Sequence, residues 1–383
     1  MEGQRNLSQN PFGDIPLFRE IQRIMASGEG PINYEIARQV ATAVATQGLA
    51  EGGPPPDVSR RLSDAVRACE VVLAGYTRLS LDEPMRADVV GRAWWVESTL
   101  RSWRWLLDRL AERFTGELSR TAGEDEQNPM EQALKQIAPL LIGLQSGSLL
   151  GQLATEALGR YDFPIARDDD GRLFLLWRNA SEVVREYGFD EEAFTAWLAL
   201  RDCSRHLIVT AVPWVARYHR SLLLELIDAI EIDVSDLERR LMELQSRGME
   251  ALQEGMSAEQ VIPVVPTERH ERALDRLRAF LALFEGYAER ACDAVGPEVI
   301  NDAARIDEGM ARRRASASSG ETMLSGILGV SIDRKLETSG TTFCAAVLEL
   351  KGIAALNRVW EAPDNLPTIA EIKDPFAWME RVL

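Results

Sequence analysis

The chain is poor in the residues from which most metal and nucleophilic sites are built. Of its 383 residues three are histidine (His206, His219 and His270) and four are cysteine. Cys69, Cys203, Cys292 and Cys344 stand apart with no C-x-x-C pair, which suits free, buried thiols in a reducing compartment. Positive charge is also short. A net charge of −17 argues against a phosphate backbone as partner, because nucleic-acid binding needs a basic face. A long apolar run is missing too. The least polar stretch, Ile137 to Leu158, is interrupted by Gln145, Ser146, Ser148, Gln152 and Glu156, so it is expected as a buried helix pair and not as a membrane span. Met1 to Asp14 is polar and has no apolar signal core, so the expected location is the cytoplasm.

What the chain does have is helical periodicity. Tyr34 to Thr46, Val58 to Leu79, Ala87 to Phe114 and Glu131 to Leu158 fit helices, with turns at Gly52 to Pro56 and Gly123 to Pro129. Gly143, Gly147, Ser148 and Gly151 cluster small side chains where a neighbouring backbone could approach. Tyr161 to Ile165 and Arg172 to Trp177 read as strands flanking an Asp168-Asp169-Asp170-Gly171 turn, a hairpin without the full pattern of a calcium loop. Helices resume at Ser181 to Tyr187, Glu191 to Val212, Val215 to Ile230, Ser235 to Gln253 and Glu268 to Val295. Arg312 to Gly320 has the composition of a mobile loop whose basic triplet, Arg312 to Arg314, could also hold an anion. A last helix is expected from Phe343 to Trp360.

The most informative segment is Ala199-Leu200-Arg201-Asp202-Cys203-Ser204-Arg205-His206-Leu207-Ile208-Val209. Arg201 and Arg205 are spaced i,i+4 and share one helical face. In an HExxH helix those positions carry the zinc-binding histidines, and the residue after the first is the general base. Here both ligand positions are arginine and the base position is Asp202. A guanidinium is always protonated and offers a metal no lone pair.

Several further elements, in order along the chain, resemble an uncharacterised bacterial family of zincin-like metallopeptidases often assigned as hydrolases. They are Asn10-Pro11-Phe12-Gly13-Asp14-Ile15-Pro16, Gly30-Pro31-Ile32-Asn33-Tyr34, Leu158-Gly159-Arg160-Tyr161-Asp162-Phe163-Pro164, Ala211-Val212-Pro213-Trp214, Glu285-Gly286-Tyr287-Ala288, Leu366-Pro367-Thr368 and Pro375-Phe376-Ala377-Trp378. The resemblance implies an α+β, predominantly helical zincin-like fold with a small sheet. It places a helical region over 1–151, and a zincin-like domain with a helical tail over 152–383. It also implies zinc as cofactor and makes Glu285 a third ligand or a nearby acid. The histidine ligands are absent, so no metal and no other cofactor is expected here.

Three readings of the polar block follow. In the first, the chain is a pseudoenzyme or interaction protein. Arg201, Arg205 and Glu285, each isolated in an apolar helix, meet as an ion-pair network, because a buried charge needs a partner. In the second, a rearranged hydrolase site uses Asp202 or Glu285 as base and His206 as acid, with or without a metal. His206 lies one residue past the ligand position, turned ~100° around the helix. In the third, Arg201 and Arg205 hold a carboxylate or a peptide end. Cys203, near these cations, is a conceivable nucleophile but reads more simply as a packed thiol. Trp94, Trp95, Trp103 and Trp105, interleaved with Arg92, Arg101 and Arg104 on one expected helix, read as core packing rather than a base-stacking face.

Overall fold

The computed structural model describes residues 30–121, 129–232, 264–265, 267–315 and 334–383. The Asn10 to Pro16 motif, most of the Gly123 to Pro129 turn, the helix expected over Ser235 to Gln253 and residues 316–320 lie outside these. In chain order, α1 (Tyr34–Thr46) and α2 (Pro56–Thr77) precede β1 (Ala87–Val90), α3 (Arg92–Ser102), α4 (Arg104–Thr121) and α5 (Pro129–Glu156). Strand β2 (Leu173–Leu176) leads into α6 (Trp177–Tyr187), α7 (Glu191–Ala211) and α8 (Val215–Asp228). A two-residue antiparallel pair, β3 (Glu231–Ile232) with β4 (Val264–Val265), comes before α9 (Glu268–Val299), α10 (Ala303–Ala315) and α11 (Arg334–Lys351). The chain closes through α12 (Ile353–Leu356), two short 3-10 turns, α13 (Ile369–Lys373) and α14 (Pro375–Val382). The fold is α+β and predominantly helical. Among the described residues no helix is long and apolar enough to cross a membrane.

Local chemistry sets most helix ends. The Asn33, Asp190 and Thr267 side chains accept a backbone N–H at the starts of α1, α7 and α9. Helix α7 stops at Val212, held extended ahead of Pro213. Where the expectations fail, the causes are also local. The helix expected from Ala87 is instead strand β1 up to Val90, with Gly91 as the N-cap of α3. Trp103 interrupts the run between α3 and α4. The tail helix breaks at Gly352, whose φ of 78° suits a residue without a Cβ. Arg312 to Arg314 belong to α10 and not to a loop. Ile137 to Glu156 lies in one long helix, α5, rather than a pair.

The expected hairpin is also corrected. Leu173 to Leu176 pairs in parallel with Ala87 to Val90, in register Ala87↔Leu173 to Val90↔Leu176. Such a pair needs a long crossover, which α3 to α5 supply. Tyr161 to Ile165 forms no strand: Pro164 has no N–H to give, and side-chain carboxylates take the Gly159, Arg160 and Tyr161 amides. All four β2 residues are buried. Alternate side chains of a strand point to opposite faces, and here both faces meet apolar packing. Phe174 and Leu176 enter one core with Trp95, Trp103, Leu150 and Phe280, while Leu173 and Leu175 enter a second with Leu73, Phe194 and Trp197. Trp95 and Trp103 are core residues that meet Phe163 and each other edge to face at 6.0–6.2 Å, whereas Trp94, expected in the core, is exposed.

The small residues of α5 let α1 approach. A Cβ on Gly143 would stand 2.6 Å from the Asn33 carbonyl oxygen, and one on Gly151 2.6 Å from the Val44 Cβ. At Gly147 it would meet the Ala37 carbonyl at 2.6 Å and the Val40 Cβ at 2.9 Å. Gly147→Ala gains ~1 kcal/mol of helix propensity but overpacks against backbone, which costs ~1–3 kcal/mol or more. The variant is expected to lose about 1–2 kcal/mol in urea denaturation. Equal or higher stability would mean that α1 can lift away from α5.

Candidate functional site

The polar block of α7 divides between two faces about 100° apart. Arg201 and Arg205 turn toward α9 and α10, and Asp202 and His206 turn toward the 158–162 loop. Arg205 is buried. Its Nε donates to Glu285 Oε2 at 3.0 Å and its Nη2 donates to the same oxygen, while Nη1 donates to the Arg201 carbonyl at 2.8 Å. Burial pulls the Arg205 pKa down, but Glu285 more than offsets this and the guanidinium stays charged. Arg201 does not join the pair. Its guanidinium lies over the Trp197 ring, 4.8 Å from the centroid, and meets no carboxylate at ion-pair distance among the described residues. Burial and the charges of Arg205 and Arg314 lower its pKa.

Glu285 reaches this face because of its neighbours in Glu285-Gly286-Tyr287-Ala288. Gly286 has no Cβ and packs directly against the backbone of Gly340 and Thr341, which seats α11 on α9. Tyr287 donates to Asn357 Oδ1 at 2.7 Å, fixing the tail to the same turn. Beside the ion pair opens a cleft of about 450 Å³ between α7, α9 and α10. Its wall includes Trp197, Arg201, Arg205 and Glu285, and its rim includes Asp307 and Arg314.

The other face is a clamp. Asp202 Oδ2 accepts the Arg160 N–H at 2.6 Å and Oδ1 accepts the Tyr161 N–H at 3.4 Å. Gly159 must lack a side chain, since a Cβ there would stand 2.5 Å from Asp202 Oδ2. Burial first, and then the nearby Asp162 carboxylate, push the Asp202 carboxyl up to about 7. His206 Nδ1 shares a hydrogen bond with the Tyr161 hydroxyl at 2.9 Å, and burial lowers the imidazole to about 4. The acidic run is built into the same loop. Arg160 and Arg167 both hold Asp169, at 2.6 and 2.9 Å, and Arg220 holds Asp168 at 2.9 Å. Cys203 is fully buried and burial pushes its thiol up, so it is a packed thiol and not an activated one.

Asp202, His206 and Glu285 are therefore not assembled into one site: the first two bind the 158–162 loop and the third binds Arg205. Among the described residues no three His, Cys, Asp or Glu side chains gather to hold a metal ion. The donor set at the Arg201, Arg205 and Glu285 positions does not fit zinc. Two of the three groups have no lone pair, and Arg205 already occupies the one carboxylate. Sequence reasoning missed the roles of Tyr161 and Asp162, and it read Arg314 as part of a basic triplet that could hold an anion without placing it beside α7. The spacing of Gly159 and Asp162 was a legible sign of an Asx-type turn, whereas nothing local to Arg314 tied it to α7.

Two measurements check this geometry. Glu285→Ala leaves the Arg205 charge without a partner and is expected to cost about 3 kcal/mol in chemical denaturation, at the low end for a buried pair because Glu285 is partly solvated. A loss below ~1 kcal/mol would mean the pair is surface-like. For His206 the folded value of about 4 lies below the free value of 6.5. The unfolded chain therefore takes up this proton first, and the stability it confers is complete above 6.5 and is lost as pH falls toward 4. The stability gap between the wild type and His206→Gln should narrow by about 2–3 kcal/mol between pH 7.5 and pH 4.5. A gap that stays constant would mean that the imidazole is solvated.

Residues 32–379 match a family described as zincin-like metallopeptidases. A crystal structure from Chloroflexus aurantiacus, of a protein presumed a hydrolase and described as having a novel fold, superposes with a TM-score of 0.65 at 25% identity. The match covers 91% of this chain and 98% of that one. No curated protein matches the chain.

Proposed function

The chain belongs to the family of zincin-like metallopeptidases, and we propose that it is a member that has exchanged zinc for an arginine–glutamate ion pair and acts by binding rather than by cleaving. One observation carries this reading: Arg205 holds Glu285 with two N–H groups, at the positions where the resemblance puts the second histidine and the third ligand. The fixed positive charge of Arg205 takes the electrostatic place of the ion against Glu285, so the scaffold needs no metal to satisfy that acid. Asp202, in the general-base position, holds two backbone amides of the 158–162 loop and is not aimed at the cleft where a water would be activated.

The purified protein is expected to carry far less than one zinc per chain and to leave unstructured peptide substrates uncut. Elemental analysis finding about one zinc per chain, lost on Glu285→Gln, would overturn the proposal, and so would zinc-dependent proteolysis. A gain-of-function variant tests the same reading from the other side. Arg201→His with Arg205→His places two imidazoles one turn apart facing Glu285, while Asp202 is kept because it holds the loop. Three ligands with an open position suit zinc, so calorimetric titration should register new zinc binding.

A further inference from the structure

The charges that line the cleft are not equally satisfied. Each acid has a donor: Glu285 takes Arg205, Glu289 accepts from the Thr341 hydroxyl at 2.6 Å, Asp293 takes Arg290, and Asp307 accepts from Trp197 Nε1 at 2.7 Å. Arg205 is spent on Glu285. Arg201 and Arg314 also line the cleft, and neither meets a carboxylate at ion-pair distance among the described residues. Arg201 is only partly exposed, and Trp197 supports one face of its guanidinium. A guanidinium that lies over a ring and lines a cavity can take a planar anion through two hydrogen bonds. Beside it the wall turns apolar, with Leu200, Pro297, Ile300 and Ala304. A volume of about 450 Å³ is the size of a small-ligand site. Burial and the two neighbouring arginines disfavour the charge of Arg201, and an anion there would relieve that cost.

We propose that this cleft binds the free carboxylate end of a short peptide, with the carboxylate on Arg201 and Arg314 and an apolar terminal side chain against Leu200, Pro297 and Ile300. The inference rests on the reading of the site as non-catalytic, since a bound peptide end is to be held and not cut. A peptide fits better than a bare anion such as phosphate, because the cation stands next to an apolar wall and the acids further along α9 and α10 would repel a multiply charged group. An acyl acid shares the carboxylate chemistry, and the test separates it from the peptide.

The test is calorimetric titration of the full-length protein with the tripeptide alanyl-alanyl-leucine, with its C-terminal amide, and with octanoate. The free-acid tripeptide is expected to bind. The amide should bind at least about tenfold more weakly, because it lacks the charge that Arg201 needs. Arg201→Gln should weaken the free acid by about the same factor, and Arg201→Lys less, since lysine keeps the charge but not the bidentate edge. Arg314→Gln sits on an exposed helix position, does not endanger folding, and should also weaken it. Equal affinity for acid and amide would overturn the proposal. No binding of the tripeptide, or full affinity in a folded Arg201→Gln, would overturn it as well. Octanoate binding without tripeptide binding would assign the site to acyl acids and overturn the peptide assignment. Zinc is measured on the same samples. Zinc-free protein that ignores the tripeptide defeats only this inference, whereas stoichiometric zinc defeats the non-catalytic reading itself.

Discussion

The Arg205–Glu285 pair joins α7 to α9, and the cleft and the packing beside it depend on that junction. The Arg205 charge is not tolerable alone at that depth. Arg205 lies in a helix whose other residues fill two cores, and Glu285 follows a run of apolar residues from Phe280 to Phe284. Exchanging such a pair for apolar residues can leave stability unchanged, but removing one member strands the other. The pair thus ties α7 to α9 in a register that packing sets, and against an apolar pair of the same shape it adds little stability. It also consumes the carboxylate that a metal would need.

A second constraint works at right angles to the first. Asp202 and His206, one step further round α7, hold Arg160 and Tyr161 of the loop that leads into β2. That loop in turn carries Arg160 to Asp169, so the exposed acidic run is tied back to the fold through Asp169. One helix therefore serves as wall to a cleft on one side and as anchor to a loop on the other. The i,i+4 repeat makes this division possible, because Arg201 and Arg205 share one face and Asp202 and His206 the next.

Close backbone approach is the third ingredient. Gly143, Gly147 and Gly151 admit α1, and Gly286 with Gly340 brings α11 onto α9. Residues on both sides of Gly151 contribute to each core. The close contacts also explain in physical terms why a glycine follows Glu285: the residue that faces the arginine sits on the turn that must touch α11.

The sequence by itself determined what depends on near neighbours. Periodicity delimits α1 as Tyr34 to Thr46, and Pro213 closes α7. The spacing of Arg201 and Arg205 places them on one face, and their chemistry rules them out as metal ligands from residue type alone. The small residues of α5 were legible as a packing surface, although their partner was not. What only the tertiary structure decided concerns partners distant in the chain. The run Leu173 to Leu176 reads from its neighbours as one arm of a hairpin, and its parallel pairing rests on Ala87 to Val90, more than eighty residues earlier. Which arginine takes Glu285 depends on the register of α7 against α9, set by packing along their whole length. The use of Asp202 as a loop clamp depends on where the 158–162 backbone runs. Local pattern encodes helix and face, because those follow from the next four residues. Pairing across the fold is set by the sum of many contacts that no short window of sequence contains.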